Sequence, residues 1–261
     1  MLLLLALPAQ ALELTGEFVQ GGFVAGKVAA GSTVTLDGRN VVVGPDGSFA
    51  LGFPYDAPAT AMLVLRDAQG RSEQRSLTIA RRQFQVQRID GLPEAMVTPP
   101  PEVLERIRRD NERTKAARAV VSREPHFRAG WRWPATGPIT GVFGSQRILN
   151  GKPRSVHYGV DVAAPKGSDI RAAAAGTITL AGDLYFSGNT VFIDHGLGVN
   201  TSYLHLDSIA VEEGQFVRAG EKIGTLGATG RATGPHLHWG LNWFEVRLDP
   251  ALIVPPMPGK P

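Results

Sequence analysis

No cysteine occurs among the 261 residues. That excludes disulfides, thiol nucleophiles and cysteine-ligated zinc, so any metal must be held by histidine and carboxylate. A chain without stray thiols also suits an oxidising compartment. Net charge is nearly absent: 27 Lys and Arg against 24 Asp and Glu leave +3. So small an excess permits an anionic partner such as a cell envelope without demanding one. No zinc knuckle or basic-aromatic pattern points to nucleic acid. Beyond the first residues, no apolar run is long enough to span a bilayer. What is plentiful is Gly (31) and Pro (19), which suits strands joined by many tight turns.

The start, "MLLLLALPAQALE", has an apolar run from Leu2 to Leu7 and then Ala9-Gln10-Ala11, an A-x-A cleavage pattern. It reads as a secretory signal peptide over 1–11 that lacks its basic end. The implied location is secreted or periplasmic, with no transmembrane segment once the signal is removed.

From 12 to 90 short alternating strands are broken by turns. In "STVTLDGRNVVVGPDGSFALGF", Asp37-Gly38 and Asp46-Gly47 stand between apolar runs as hairpin signals, and Asp67 to Gly70 makes a third turn. A small β-sandwich of about six or seven strands is expected. Pro99-Pro100-Pro101 ends it. The linker, 91–133, holds one helix over about 102–121, with Val103, Leu104, Ile107 and Ala117 on its apolar face. Its other face is dense in Arg but interleaved with acids, so it reads as solvated.

Strands resume over 134–255, before a tail at 256–261. "KGSDIRA" (166–172) resembles "EGQFVRA" (213–219), which suggests a duplicated β motif. The second copy also looks like the half-barrel of biotinyl and lipoyl carriers. The short motif that presents their modified lysine is missing, and Lys222 sits inside a Gly-rich run instead.

The chemistry gathers in this half. "TGPHLHWGL" places His236 and His238 at i and i+2, which share one face of a strand. "HYGVDVAAP" places His157 and Asp161 at i and i+4, again one side of an extended segment. With one of the two strand histidines, they make a three-ligand His₂Asp set that leaves a fourth zinc position open, the catalytic arrangement. A further histidine, His205 in "NTSYLHLDSI", and the remaining strand imidazole can flank that position. One would orient or deprotonate a water, and the other would stabilise an oxyanion or deliver a proton. No H-E-x-x-H helix supplies a glutamate base.

"FGSQR", "HYGVDVAAPKG", "AAAAGTI", "GNTVFIDHG", "YLHL", "GEKIGTLGATG" and "TGPHLHWGL" follow one another over roughly Ile139 to Pro250. In this order they resemble the lysostaphin/LytM-type zinc endopeptidases of bacterial peptidoglycan. The resemblance implies a mainly β protein, with an all-β catalytic domain built on a duplicated hybrid motif beside the small sandwich and the linker helix. It implies one zinc per chain, held by His157, Asp161 and His238, with His205 and His236 as catalytic histidines. Peptidoglycan peptide stems are the implied substrate, and the D-alanyl–diaminopimelate cross-link is the bond favoured. The competing reading is a wall-binding activator of another hydrolase, whose degenerate members lose one of these five positions. His195 in "FIDHG" reads as structural or cleft-lining, and "SQRILNGKPRS" as a loop on the cleft rim.

Overall fold

The computed structural model describes residues 12–91 and 97–258; the expected signal peptide lies outside them. The described chain is mainly β. Seven strands come first: β1 (Glu13–Gly16), β2 (Phe23–Lys27), β3 (Thr33–Leu36), β4 (Arg39–Val41), β5 (Ser48–Gly52), β6 (Thr60–Arg66) and β7 (Ser72–Thr78). They form two sheets, ordered β1-β2-β5 and β4-β3-β6-β7. The alternation of β6 turns Ala61, Leu63 and Leu65 inward, where they meet Phe49 and Leu51 of β5 in one core.

Asp37-Gly38 makes the expected tight turn between β3 and β4, with φ of 49° and 76°. Asp46-Gly47 does not join a hairpin. It carries the chain from β4 in one sheet to β5 in the other. Local turn chemistry alone does not reveal which sheet the next strand joins.

Next come β8 (Val86–Ile89) and the helix α1 (Leu104–Ala119), then β9 (Ile139–Gly141), β10 (Gln146–Leu149), β11 (Lys152–Val156), β12 (Val160–Ala163) and β13 (Asp169–Arg171). They are followed by β14 (Gly176–Leu184), β15 (Gly188–Asp194), β16 (Val199–Ile209), β17 (Phe216–Val217), β18 (Lys222–Leu226), β19 (His236–Trp243) and β20 (Val246–Leu248). The main sheet runs β17-β14-β15-β16-β19-β12-β9. β8 pairs with β10 in parallel rather than with the sandwich.

The internal repeat has a structural counterpart. Each copy contributes a short strand and the strand after it, β13–β14 and β17–β18. The short strand of each pairs with the longer strand of the other, β13 with β18 and β17 with β14. Gly167 and Gly214 open the two copies at matching positions, with φ of 88° and 86°.

Among the contacts that bind the halves of the chain are two packed clusters. The sandwich core continues into Leu197, Val199, Leu241, Trp243 and Leu248. A Cβ on Gly52 would stand 2.9 Å from that of Trp243, so only glycine lets β5 approach so closely. The second contact is α1. Ala117 packs with Leu180, Leu184 and Phe192. The charged side of α1 is also docked. Arg106 pairs with Asp183, Asp110 accepts the Tyr185 backbone N–H at 2.7 Å, and Arg118 lies over the Phe192 ring. The expected solvated face is thus partly an interface, while Leu104 of the expected apolar face is 52% exposed.

Candidate active site

Asp161 and His238 stand directly opposite one another where β12 pairs antiparallel with β19. Cross-strand neighbours on one face bring their side chains together. Asp161 Oδ1 lies 2.8 Å from His238 Nδ1 and 3.0 Å from His157 Nε2. The two imidazole nitrogens are 2.9 Å apart. His157 does not share a continuous strand with Asp161. It lies before β12, beyond a bend at Gly159, and is fixed instead by its backbone N–H bond to the Ser145 carbonyl. The expected juxtaposition is met by a different backbone path.

The donor set suits a cation. His157 Nδ1 lies 3.0 Å from the Val142 carbonyl, which can only accept, so Nδ1 carries the proton. In neutral His157 the lone pair of Nε2 then points at a carboxylate oxygen. Two acceptors face each other unless a positive charge sits between them. Burial alone would raise the Asp161 carboxyl, but it faces His157 and His238, and donation and positive charge from those imidazoles when they are protonated hold it well below the usual carboxylate range. Burial pushes His238 down to about 4 despite the carboxylate beside it, and a neutral imidazole with an ionised carboxylate is the form metals bind. The three groups form a His–Asp–His metal-binding set, with candidate ligand atoms within 4.8 Å of one another. The other carboxylate oxygen, Oδ2, accepts from Arg147 Nη2 at 2.9 Å.

Glycine makes the crowding possible. A Cβ on Gly141 would fall 2.3 Å from Asp161 Oδ2, and one on Gly159 2.6 Å from His238 Nε2.

His236 faces the same side of β19 but is not in the ligand set. Its Nδ1 turns back to the Gly234 carbonyl at 2.8 Å. His205 Nδ1 is likewise held by the Thr229 carbonyl at 2.8 Å. Both rings therefore keep Nε2 uncommitted, and they pack with centroids 4.9 Å apart. The His205 ring lies 6.4 Å from that of His238. His205 has φ of 65° and sits where the β15–β16 ladder shifts register, between the pairs Val191–Tyr203 and Asn189–Leu206. Left-handed backbone at a non-glycine costs about 1–3 kcal/mol and recurs where a side chain must be aimed. Burial, then the charges of His236 and His238, push His205 down to about 3.

His195 lies elsewhere. It is buried, with Nδ1 donating to the Ala175 carbonyl at 2.7 Å and Nε2 2.7 Å from the Thr201 hydroxyl, and its ring packs on Trp131. Both nitrogens are occupied, which makes it a structural residue. "SQRILNGKPRS" is not a loop but the β10–β11 hairpin, turned at Asn150-Gly151 with φ of 46° and 74°. The Asn-Gly dipeptide was the available signal. That hairpin delivers Arg147. The cleft above the site, about 430 Å³, is also walled by Thr114 and Arg118 of α1 and by Arg247 of β20. No local motif marks these as functional.

A crystal structure of a peptidase M23 from Pseudomonas aeruginosa aligns with this chain at 31% identity and a TM-score of 0.71, covering 91% of this chain and 95% of that one. Residues 155–250 match the model of peptidase family M23. The chain belongs to that family. Among its relatives, the DD-carboxypeptidase/endopeptidase Mpg of Neisseria meningitidis is 45% identical over 40% of this chain and 24% of its own length. The peptidoglycan DD-endopeptidase ShyC of Vibrio cholerae is 47% identical over 32% of this chain and 19% of its own length. The chain thus matches only about a quarter or less of these two relatives. The His–Asp–His set of this chain falls within the 155–250 match.

Proposed function

We propose that this M23 protein is a zinc-dependent peptidoglycan endopeptidase that hydrolyses peptide cross-links, with the D-alanyl–diaminopimelate bond as its target. The observation that carries the reading is the division of five polar side chains into two sets. Three converge on one point, and two keep Nδ1 bonded to backbone carbonyls, with the His205 ring 4.9 Å from that of His236 and 6.4 Å from that of His238. The names of the Neisseria and Vibrio relatives support the DD-bond.

Bound by His157, Asp161 and His238, one zinc ion would supply Lewis acidity, which acidifies water and polarises a carbonyl. His236 and His205 handle protons around it. Each has its Nδ1–H committed to a backbone carbonyl, so each neutral ring offers Nε2 as the basic atom. One takes a proton from the attacking water, and the protonated ring then stabilises the oxyanion or passes the proton to the leaving amine. Arg147 holds Oδ2 of Asp161, which leaves Oδ1, beside His157 and His238, as the oxygen that would serve as a ligand.

In this reading 134–255 is the catalytic unit, 12–90 an accessory sandwich and 91–133 the connection, in a protein that works in the cell envelope after removal of its signal. An activator without catalysis would tolerate loss of one of the five side chains, and all five are present. The test is mass analysis of fragments released from purified sacculi, with and without a chelator. Metal-dependent loss of cross-linked muropeptides is expected. Cross-links that persist in the metal-replete reaction would overturn the proposal.

A further inference from the structure

The cleft holds more positive charge than the ligand set uses. Arg147 is committed to Asp161. Arg118 of α1 and Arg247 of β20 are not so committed. Both line the same cleft as His205 and His238. Neither makes an ion pair or a hydrogen bond among the described residues, and Arg118 Nε is buried with no partner at all. Each guanidinium lies near an aromatic ring, Arg118 over Phe192 at 5.0 Å and Arg247 over Tyr158 at 6.0 Å. Those rings hold the arginines in place without neutralising them. Among the described residues Glu245 is the one carboxylate acting on both, and it is exposed and bridges neither.

Two part-buried cations that repel one another are expensive unless something anionic joins them. Burial first and the Arg247 charge second push Arg118 down to about 9, still cationic at neutral pH. A planar guanidinium fork fits a carboxylate with two parallel N–H···O bonds. Arg118 lies outside the 155–250 family match, on the helix that the sequence alone presents as a linker.

We propose that Arg118 and Arg247 form a carboxylate-binding subsite of the cleft, so that α1 is part of the substrate site and selects peptides with a free carboxylate beside the scissile bond. This rests on the endopeptidase reading. In a D-alanyl–diaminopimelate link the diaminopimelate residue keeps a carboxylate on the carbon that bears the acylated amine, so an anion lies next to the bond to be cut. The arginine pair would fix that end of the substrate while the ligand set addresses the carbonyl. In amidated peptides the same position is neutral, and the pair gains nothing from it.

The experiment reads binding by calorimetry, with no bond to cleave. The full-length zinc-loaded protein is titrated with a diaminopimelate-containing tripeptide as the free acid and as the carboxamide. The free acid should bind at least ~10-fold more tightly. Arg118→Gln and Arg247→Gln should each lower free-acid affinity ~10–100-fold and leave the carboxamide unchanged. Thermal melts confirm that each variant is folded, and either variant alone suffices if the other is not. Equal binding of acid and carboxamide by the unaltered protein, no binding of the acid, or equal weakening of both ligands in the variants would overturn the subsite. Inactivity on sacculi would remove the endopeptidase reading and leave this binding result standing or falling by itself.

Discussion

Exchanging His238 and His236 for alanine, one at a time, separates holding a metal from moving a proton. The two imidazoles share a strand face, yet their environments differ. His238 Nδ1 is 2.8 Å from Asp161 Oδ1, whereas His236 Nδ1 is tied to Gly234. His238→Ala removes one of three ligands. Loss of a mere supporting partner of a ligand costs ~10–100-fold in metal affinity, so loss of the ligand itself should exceed ~100-fold, or more than ~2.7 kcal/mol. It also strips a buried carboxylate of one of its hydrogen bonds. His236→Ala touches no ligand. Zinc should stay at one per chain while turnover falls ~10²–10⁴-fold, an added barrier of about 2.7–5.4 kcal/mol. The assay is zinc stoichiometry after dialysis against a weak chelator, beside the rate of muropeptide release. Retention of zinc by His238→Ala with loss from His236→Ala would refute the geometry and exchange the two roles. Full turnover in His236→Ala would remove it from the mechanism.

Three further outcomes are expected. His195 is neutral and buried, with its pKa lowered from 6.5 to about 4; between those values only the unfolded chain takes up the proton, so stability is lost as pH falls from about 6.5 to 4, by up to ~3 kcal/mol. Urea unfolding at pH 7 and pH 4.5 should show that part of the acid sensitivity missing from His195→Gln, and identical slopes would sink the assignment. Gly159→Ala places a methyl 2.6 Å from the His238 ring; it should cost about 1–3 kcal/mol and lower zinc occupancy, and a fully loaded variant of unchanged stability would contradict the packing. Removing everything before Arg128 uncovers Leu197, Val199, Leu241, Trp243 and Leu248, all within 1% of complete burial. At ~1.5–3 kcal/mol each the loss is about 10 kcal/mol, comparable to a whole domain's stability, so the fragment should lack a cooperative melt, and a sharp transition would show that the shared core is dispensable.

Whatever depends on strand period was legible in the sequence. His236 and His238 had to share a face, and the likeness of 166–172 to 213–219 foretold two matching strand pairs. The first follows from the two-residue repeat of an extended chain, the second from self-similarity of the sequence. The conjunction of His157, Asp161 and an H-x-H in a chain without cysteine identified the ligand types. Which strand histidine joins them was not legible from spacing alone. That depends on the β12–β19 register, which sets His238 opposite Asp161 and His236 opposite Ala163. The aim of His205 depends on a left-handed residue at a break in the ladder, for which no glycine or turn motif gave warning. The docking of α1 and of the β10–β11 hairpin was equally hidden. Arg118, Arg147 and Arg247 come from three separated segments, and each reads locally as an ordinary surface charge. Only the packing of helix and hairpin over the sheet draws them into one cleft, because such contacts arise from long-range burial and pairing that no local period encodes.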